Sequence, residues 1–347
     1  MRAMILAAGL GTRLRPLTYV MPKPVAPVLN RPIVVRIAEL LAEHGFHGVV
    51  TNASYLPEQI RAVLGDGSEF GLEIGYSEEA EPLGTAGGAG RVRDFLSGTD
   101  SFLIISGDAL TDLDLTAMRK AHEANVERGA IATLATKRVD DTTQFGVAIT
   151  DNEGRIQGFQ EKPDPAEALS DLANCGIYMF RREIFDHFPP PDHRSPAGDE
   201  DQPAGFVDWA MDVFPALLEG DVPFYSHEID AYWNDIGSVG EFVLGNLDAL
   251  TGAIRIDPPA GQVSDGIYAG EGSDLDAVKV KAPILIGEDC HVGSGVNLQG
   301  PVVVGDGCHL GGGAMLRDCV VLPGAEVPTG ALVVGGLYGV STDRPLG

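Results

Sequence analysis

The chain opens on residues suited to gripping an anion: Leu6-Ala7-Ala8-Gly9-Leu10-Gly11-Thr12-Arg13-Leu14-Arg15-Pro16-Leu17-Thr18, followed by Pro22-Lys23-Pro24. Glycines directly after an apolar run let backbone N–H groups approach a phosphate, and Arg13 and Lys23 add the charge that phosphates demand. A lone G-x-G would read as a turn between two surface cations. The full string is far more specific than that. Further on, charged residues recur beside glycine or proline in Ser106-Gly107-Asp108, Phe159-Gln160-Glu161-Lys162-Pro163 and Tyr232-Trp233-Asn234-Asp235-Ile236-Gly237. Each aspartate taken alone is an ordinary loop carboxylate; their order along the chain is what makes them a set.

Overall charge makes the cations informative. The chain carries 50 acidic residues against 24 basic ones, a formal charge of −26. A field of that sign repels nucleic acid and anionic membrane, both of which need many Lys and Arg contacts, and neither is expected as a partner. It also repels a free nucleotide, so any phosphate site must be a local exception. Cys175, Cys290, Cys308 and Cys319 lack the close pairs of a zinc site and read as small apolar core residues of a reducing compartment. The opening apolar run ends at Gly11-Thr12-Arg13 without a long hydrophobic region, so no signal peptide is expected. No stretch approaches the roughly 18 apolar residues of a membrane helix. A cytoplasmic location is the expectation.

The elements that must hold these residues alternate between strand and helix. Residues 3–8, 48–51 and 102–106 read as buried strands, and 32–44 and 58–64 as helices. That order predicts an α/β domain with a mostly parallel, Rossmann-like sheet, whose ligands bind at the carboxyl ends of the strands, where Gly9 and Asp108 fall. The stretch 130–180 is richer in strands, 186–203 is a polar, proline-rich loop, and 241–250 reads as an amphipathic helix. Beyond it a hexad begins. Ile286, Val292, Leu298, Val304, Leu310, Leu316 and Leu322 stand six residues apart, with Cys290, Val296, Val302, Cys308, Ala314 and Val320 four residues after the first six. One aliphatic and one small inward position per six residues predicts a parallel β-helix. The expected domains are 1–246, a linker at 247–265, and a solenoid at 266–347.

Together these motifs resemble the sugar-1-phosphate nucleotidylyltransferases, which use G-x-G-T-R-x-x-P-L-T and a downstream P-K. Pro82-Leu83-Gly84-Thr85-Ala86-Gly87 resembles the family's L-G-T-A-G loop, and Asn174-Cys175-Gly176-Ile177-Tyr178 its N-A-G-I-Y. The resemblance implies that Leu6, Ala8, Gly9, Gly11, Thr12, Arg13, Glu79, Gly84 and Thr85 lie along the nucleotide. It implies that Gly146, Glu161, Lys162 and Asn174 take the sugar phosphate, and that Asp108 and Asp235 hold Mg²⁺. Arg13, Lys23, Asp108 and Lys162 are the expected catalytic residues. A C-terminal left-handed β-helix also matches a variant of the family. The departures are Cys175 for the usual alanine, and Ser238-Val239 where Thr-Pro often follows Asp-Ile-Gly. Such an enzyme joins a nucleoside triphosphate to a sugar 1-phosphate and releases pyrophosphate. The sugar phosphate is already an anionic nucleophile, so positioning and electrostatic stabilisation carry the chemistry without a general base.

Base and sugar are the least legible features. Glu79 stands five residues before Gly84 in Glu78-Glu79-Ala80-Glu81, where thymidylyl and uridylyl relatives often carry glutamine. A carboxylate only accepts hydrogen bonds, which suits the N1–H and N2–H₂ donors of guanine. The other reading is a solvated acidic run. The whole most resembles mannose-1-phosphate guanylyltransferase, with GTP favoured over other nucleoside triphosphates. Glucose-1-phosphate thymidylyl or uridylyl transfer is the alternative, and a non-catalytic regulatory or scaffold subunit is the alternative of another class. Such subunits typically lose catalytic charges that this chain keeps. His291 and His309 invite analogy to solenoid acyltransferases, but a turn histidine is usually a solvated polar residue. A short solenoid leaves an open backbone edge, so a homo-oligomer is expected.

Overall fold

The computed structural model describes residues 1–190, 192–198 and 201–339. Residues 191, 199 and 200 of the proline-rich loop, and 340–347 at the end of the expected solenoid, lie outside the described residues. The chain forms two compact units. One comprises residues 1–10, 37–109 and 113–233, the other residues 11–36, 110–112 and 234 onward.

The first unit is built on a nine-stranded sheet. Ser101–Ser106, Arg2–Leu6, Gly48–Ala53 and Glu73–Glu78 lie side by side and parallel. The interiors of the first two are continuously apolar, as a covered parallel sheet requires, whereas Gly48–Ala53 buries the polar Thr51 and Asn52, and Glu73–Glu78 at the sheet edge alternates exposed and buried residues. The opening strand stops at Leu6, two residues short of expectation. The reason is local: Ala7 donates its N–H to the Asn52 side chain at 2.7 Å instead of to a neighbouring strand. Leu172–Arg181 then runs antiparallel to Ser101–Ser106 and brings in Ala132–Arg138, Gly146–Thr150, Ile156–Glu161 and Phe224–Glu228. The core centres on Phe102, Phe180, Trp209 and Phe214, with the Phe180 and Trp209 rings stacked at 4.5 Å.

In the second unit, Val239–Thr251 is a helix capped by Ser238, whose hydroxyl accepts from Glu241 N at 3.2 Å. The serine that departs from the family's pattern therefore starts this helix well. The helix packs against Asn297–Val304 and Met315–Val321, two strands of the solenoid. Successive coils pair in parallel: Ile267 with Ile284, Ile284 with Val302, and Val302 with Cys319. This is the left-handed β-helix that the hexad implies. Coils lie ~4.8 Å apart, so a corner facing the next coil has no room for a side chain. A Cβ at Gly305 would stand 2.3 Å from Pro323 N.

Up to Leu316 the expected inward positions are buried, except Val292, which is partly buried against the solenoid core. Beyond it the phase slips by one. Cys319 and Val321 enter the solenoid core, while Val320 and Leu322 are buried outside it. The corner between Leu316 and Cys319 has one residue fewer than that between Leu298 and Val302, and Asp318 turns it at φ 51. All four cysteines are free and buried, as their sequence setting implied. His291 and His309 are exposed, their rings tilted against each other with centres 4.6 Å apart.

One buried group of the first unit makes its stability depend on pH. His122 is 1% exposed, between the hydroxyls of Thr133 and Ser101 at 3.1 and 3.2 Å. Burial, then the charge of Arg181, pushes its imidazole down to about 4. The fold thus favours the neutral ring, so its stabilisation is present above the unfolded value of about 6.5 and lost as pH falls through about 4. The difference amounts to about 3 kcal/mol. We expect the stability advantage of wild type over His122→Gln, read from denaturant melts, to shrink steadily between pH 7 and 4; a constant difference would show that the ring titrates normally.

Candidate active site

The first unit places four expected residues around the carboxyl ends of its parallel strands. Leu6 ends one strand and accepts from Gly107 N at 2.8 Å, and Gly9 follows as exposed loop. A Cβ at Gly107 would stand 2.7 Å from Leu6 O, so glycine lets the two strand ends touch. Asp108 is half-buried next to this contact, its Oδ1 accepting from the Ser106 hydroxyl at 2.6 Å. The neighbouring strand bulges between Asn174 and Tyr178. There Asn174 Oδ1 accepts from Gly176 N at 3.2 Å, and a Cβ on Gly176 would stand 3.3 Å from Ser106. Asn174 is thereby drawn to the end of the strand that delivers Asp108.

Glu161 and Lys162 sit together at the end of Ile156–Glu161. Both are half-exposed, with Nζ 3.1 Å from Oε1. Gly146 pairs with Glu161, and a Cβ there would stand 3.0 Å from Oε2, so the glycine leaves room for the carboxylate. Lys162 has φ 45, a left-handed conformation that costs a residue with a side chain on the order of 1 kcal/mol. Its N–H to Phe145 O at 3.1 Å holds it there. Phe145 packs on Trp233 with ring centres 5.1 Å apart, and Trp233 Nε1 donates to Cys175 O at 3.0 Å. An aromatic brace thus connects Lys162 with the Asn174 bulge.

Glu79 is not solvated, unlike its acidic neighbours. It is 3% exposed; Oε1 accepts from Asn52 Nδ2 at 2.8 Å and Oε2 from Leu83 N at 2.9 Å. Asn52 in turn accepts from Ala7 N. A continuous relay therefore runs from the end of the first strand, through Asn52 and Glu79, to the loop at Gly84. Gly88 is needed beside it, since a Cβ would stand 2.7 Å from both Asn52 Nδ2 and Glu79 Oε1. Thr85 donates to Asp208 Oδ2 at 2.7 Å and accepts from Trp209 N at 3.0 Å. Its hydroxyl is occupied within the protein, and Gly84, at φ 78, carries the turn before it. Asn52 and Asp208 escaped sequence reasoning. Asn52 had a signal, a polar residue closing the apolar run of Gly48–Ala53 at the end of a strand; Asp208 had none.

The second unit holds Gly11, Thr12, Arg13, Lys23 and Asp235. Gly11 takes φ 60, and its carbonyl accepts from the Thr18 hydroxyl at 2.8 Å, closing the loop on itself. A Cβ at Gly11 would stand 3.1 Å from the Lys23 side chain, so the glycine also seats that lysine. Thr12 and Arg13 are exposed at the turn, and Arg13 makes no ion pair among the described residues. Asp235 is half-buried, its Oδ1 accepting from Gly237 N at 3.1 Å. Ile236 between them stands at φ 46, which is unusual for a β-branched residue. The left-handed residues Lys162 and Ile236 fall in two of the motifs singled out from sequence. Asp108 and Asp235 supply hard carboxylate oxygens, a donor type that fits Mg²⁺. Among the described residues no three His, Cys, Asp or Glu side chains converge as a metal cluster.

Known proteins with these features agree in kind. Residues 2–252 match the Nucleotidyl transferase family, and residues 283–318 match the Bacterial transferase hexapeptide (six repeats) family. The chain is 38% identical over 313 residues to a UTP–glucose-1-phosphate uridylyltransferase of Synechocystis, covering 86% of this chain and 76% of the relative. It is 35% identical over 302 residues to a mannose-1-phosphate guanylyltransferase of Mycobacterium tuberculosis, covering 85% and 77%. A crystal structure from Bacillus anthracis, described as a glucose-1-phosphate thymidylyltransferase, superposes with a TM-score of 0.62 at 26% identity. It covers 74% of this chain and 97% of that one.

The Asn52–Glu79 relay can be tested directly. Glu79→Gln turns one acceptor into a donor that faces Asn52 Nδ2 or Leu83 N, at a cost of about 1–3 kcal/mol for a buried mismatch. We expect a melting temperature lower by several degrees, a comparable loss in Asn52→Ala, and a double variant less destabilised than the sum because the two share one bond. Wild-type melting of both single variants would mean that the relay carries no stability.

Proposed function

This chain belongs to the nucleotidyl transferase family, as a sugar-1-phosphate nucleotidylyltransferase, and on that premise we propose that it joins GTP to mannose 1-phosphate to form GDP-mannose and pyrophosphate. A phosphate oxygen of the sugar phosphate attacks the α-phosphorus of the triphosphate. The bond from that phosphorus to the bridging oxygen of the β-phosphate breaks, and pyrophosphate departs. The nucleophile is already an anion and loses no proton. What must be supplied is alignment and opposite charge.

The retained set Arg13, Lys23, Asp108, Lys162 and Asp235 carries this reading over that of a non-catalytic subunit. In the roles proposed here, Arg13 and Lys23 stabilise the charge growing on the departing pyrophosphate. Lys162 draws in the sugar phosphate, while Glu161 and Asn174 accept from its hydroxyls. Asp108 and Asp235 would hold Mg²⁺, whose charge, when bound, offsets that of the phosphate oxygens. Leu6, Ala8, Gly9, Gly11 and Thr12 would follow the nucleotide with backbone groups, as would Gly84 and Thr85.

For the base, guanine is supported by Glu79, a carboxylate beside the Gly84 loop, and by the mycobacterial guanylyltransferase relative. Each Glu79 oxygen takes one protein donor and has a second lone pair for the N1–H and N2–H₂ edge. The second reading, uridylyl transfer to glucose 1-phosphate, is favoured by the relative at 38% identity. We also infer a chain organised as 1–246, 247–265 and 266–347, whose solenoid joins copies into a homo-oligomer. Leu332 and Val334, 68% and 47% exposed on a late coil, support that inference.

Two measurements decide these points. Pyrophosphate release across a grid of nucleoside triphosphates and sugar 1-phosphates should peak at GTP with mannose 1-phosphate, and Asp108→Asn and Asp235→Asn should each lose about 100-fold or more in kcat. A peak at UTP with glucose 1-phosphate would select the second reading, and full activity in both variants would remove the proposed metal site. Light scattering at micromolar concentration should find a homo-oligomer that Leu332→Asp weakens; a monomer would end the assembly proposal.

A further inference from the structure

The hairpin after Lys23 is held from three sides within the second unit. Pro27–Val28 and Arg31–Pro32 pair antiparallel, and the turn between them uses Leu29 at φ 48 and Asn30 at φ 60. Two consecutive left-handed residues form the mirror-image turn that suits a tight hairpin, and leucine is a poor residue for it. Leu29 occupies that place because it is fully buried and its N–H reaches Asn246 Oδ1 at 2.9 Å. Asn246 is itself fully buried on the helix Val239–Thr251, and its Nδ2 donates to Pro27 O at 3.3 Å and Phe242 O at 3.1 Å. At the tip, Asn30 Nδ2 donates to Val304 O at 2.9 Å and lies 3.3 Å from Asp306 Oδ1. Val304 and Asp306 belong to the solenoid, where Asp306 Oδ1 also accepts from Glu288 N of the adjacent coil at 2.9 Å.

The other end of the hairpin leads to the phosphate-binding loop. Ile33 N donates to Ala26 O, and Ala26 N to Lys23 O, both at 3.1 Å. Lys23 packs at Gly11, immediately before Thr12 and Arg13. Each of these contacts lies inside one compact unit. The same helix that carries Asn246 begins at the Ser238 cap, three residues after Asp235. A continuous set of contacts within one compact unit therefore runs from the solenoid coil at 304–306 through Asn30 and Asn246 to Lys23 and Gly11, and the helix that carries Asn246 starts just after Asp235.

We propose that the solenoid is a positioning element of the nucleotide site: through Asn30 and Asn246 it holds the hairpin 27–32, and thereby Lys23 and Arg13, in place for the triphosphate. The proposal rests on the nucleotidylyl-transfer reading of Arg13 and Lys23, and it gives the solenoid a part in catalysis whatever its part in assembly. Asn30 is a positioning residue with no contact to substrate. It is also a residue whose two contributions can be separated. Glycine at 30 keeps the left-handed turn and removes only the amide that reaches the solenoid.

The test uses the full chain. Losing one hydrogen bond of about 1 kcal/mol shifts an equilibrium about fivefold. Asn30→Gly should therefore raise KM for the triphosphate about fivefold and lower kcat, leave KM for the sugar phosphate unchanged, and hardly move the melting temperature. Hydrogen exchange should show nucleotide slowing the amides of 304–307 in wild type and not in Asn30→Gly. Asp306→Ala, a change made only on the solenoid, should shift triphosphate KM in the same direction. An active wild type whose Asn30→Gly variant keeps its kinetics and its exchange protection overturns the proposal alone. So does a variant that raises both KM values equally as it loses stability. A wild type that neither binds nor uses any nucleoside triphosphate overturns both the proposal and the transfer reading beneath it.

Discussion

The hardest physical demand on this chain is electrostatic: with 50 acidic and 24 basic residues it must bring two phosphate-bearing molecules together. Most of its arginines are already matched. Arg61 pairs with Glu78, Arg128 with Glu153, Arg155 with Asp221, and Arg138 with both Asp171 and Glu228. Such pairs add little stability at a surface, but they remove positive charge that would compete for the anion. Arg13 is different, exposed on a tight turn with no ion pair among the described residues. In a strongly negative field an unmatched guanidinium is a local minimum for phosphate. Its value depends on staying where the loop puts it, since a cation free to swing would find one of the many carboxylates nearby.

That requirement gives the loop's scaffolding its meaning. Gly11 and Thr18 close the loop upon itself beside Lys23, and the following hairpin is tied down by the Asn246 and Asn30 amides and by Arg36, which donates to Val28 O at 3.1 and 2.8 Å. Asn246 alone satisfies three backbone groups with no net charge. The Asn52–Glu79 relay follows another rule, because a buried carboxylate is tolerated only when its oxygens are supplied with donors. Its two donors come from a strand end and from the Gly84 loop, so it sets the spacing between them.

Much of this could be read from the chain before any coordinates. Phosphate chemistry constrains residue types tightly, and the glycines at 9, 11, 84 and 107 with their cations stood out for that reason. The alternation of apolar runs and helical spacings was equally plain, because a sheet covered on both faces leaves an almost uninterrupted apolar signature. The hexad was legible until Leu316, then misled by one residue. A three-sided coil tolerates a shorter corner, and nothing in Arg317-Asp318 announces that Asp318 will turn left-handed. Glu79 was the harder case. Its sequence neighbours are solvated acids, and only the approach of Asn52, 27 residues earlier, reveals its burial. Contacts of that range leave no local pattern, and the same is true of Asn30 and Val304, 274 residues apart.

The pairing of Lys162 with Glu161 shows how the proposed sugar-phosphate site could be both ordered and ready. The two groups are 3.1 Å apart and about half exposed, which makes their attraction worth at most about 1 kcal/mol. The left-handed backbone at Lys162 holds the lysine in place at a cost similar to that attraction. In the proposed role, an arriving phosphate, which carries more charge than the carboxylate, would replace it at Nζ with little penalty. Glu161, released from the lysine, would then have both oxygens available for the proposed contacts to sugar hydroxyls. A stronger, buried pair would have to be broken at a cost of several kcal/mol before the substrate could bind. An unpaired lysine would move through many rotamers and lose that freedom on binding. A weak exposed pair on a strained backbone avoids both penalties, and Gly146 keeps open the space the carboxylate needs.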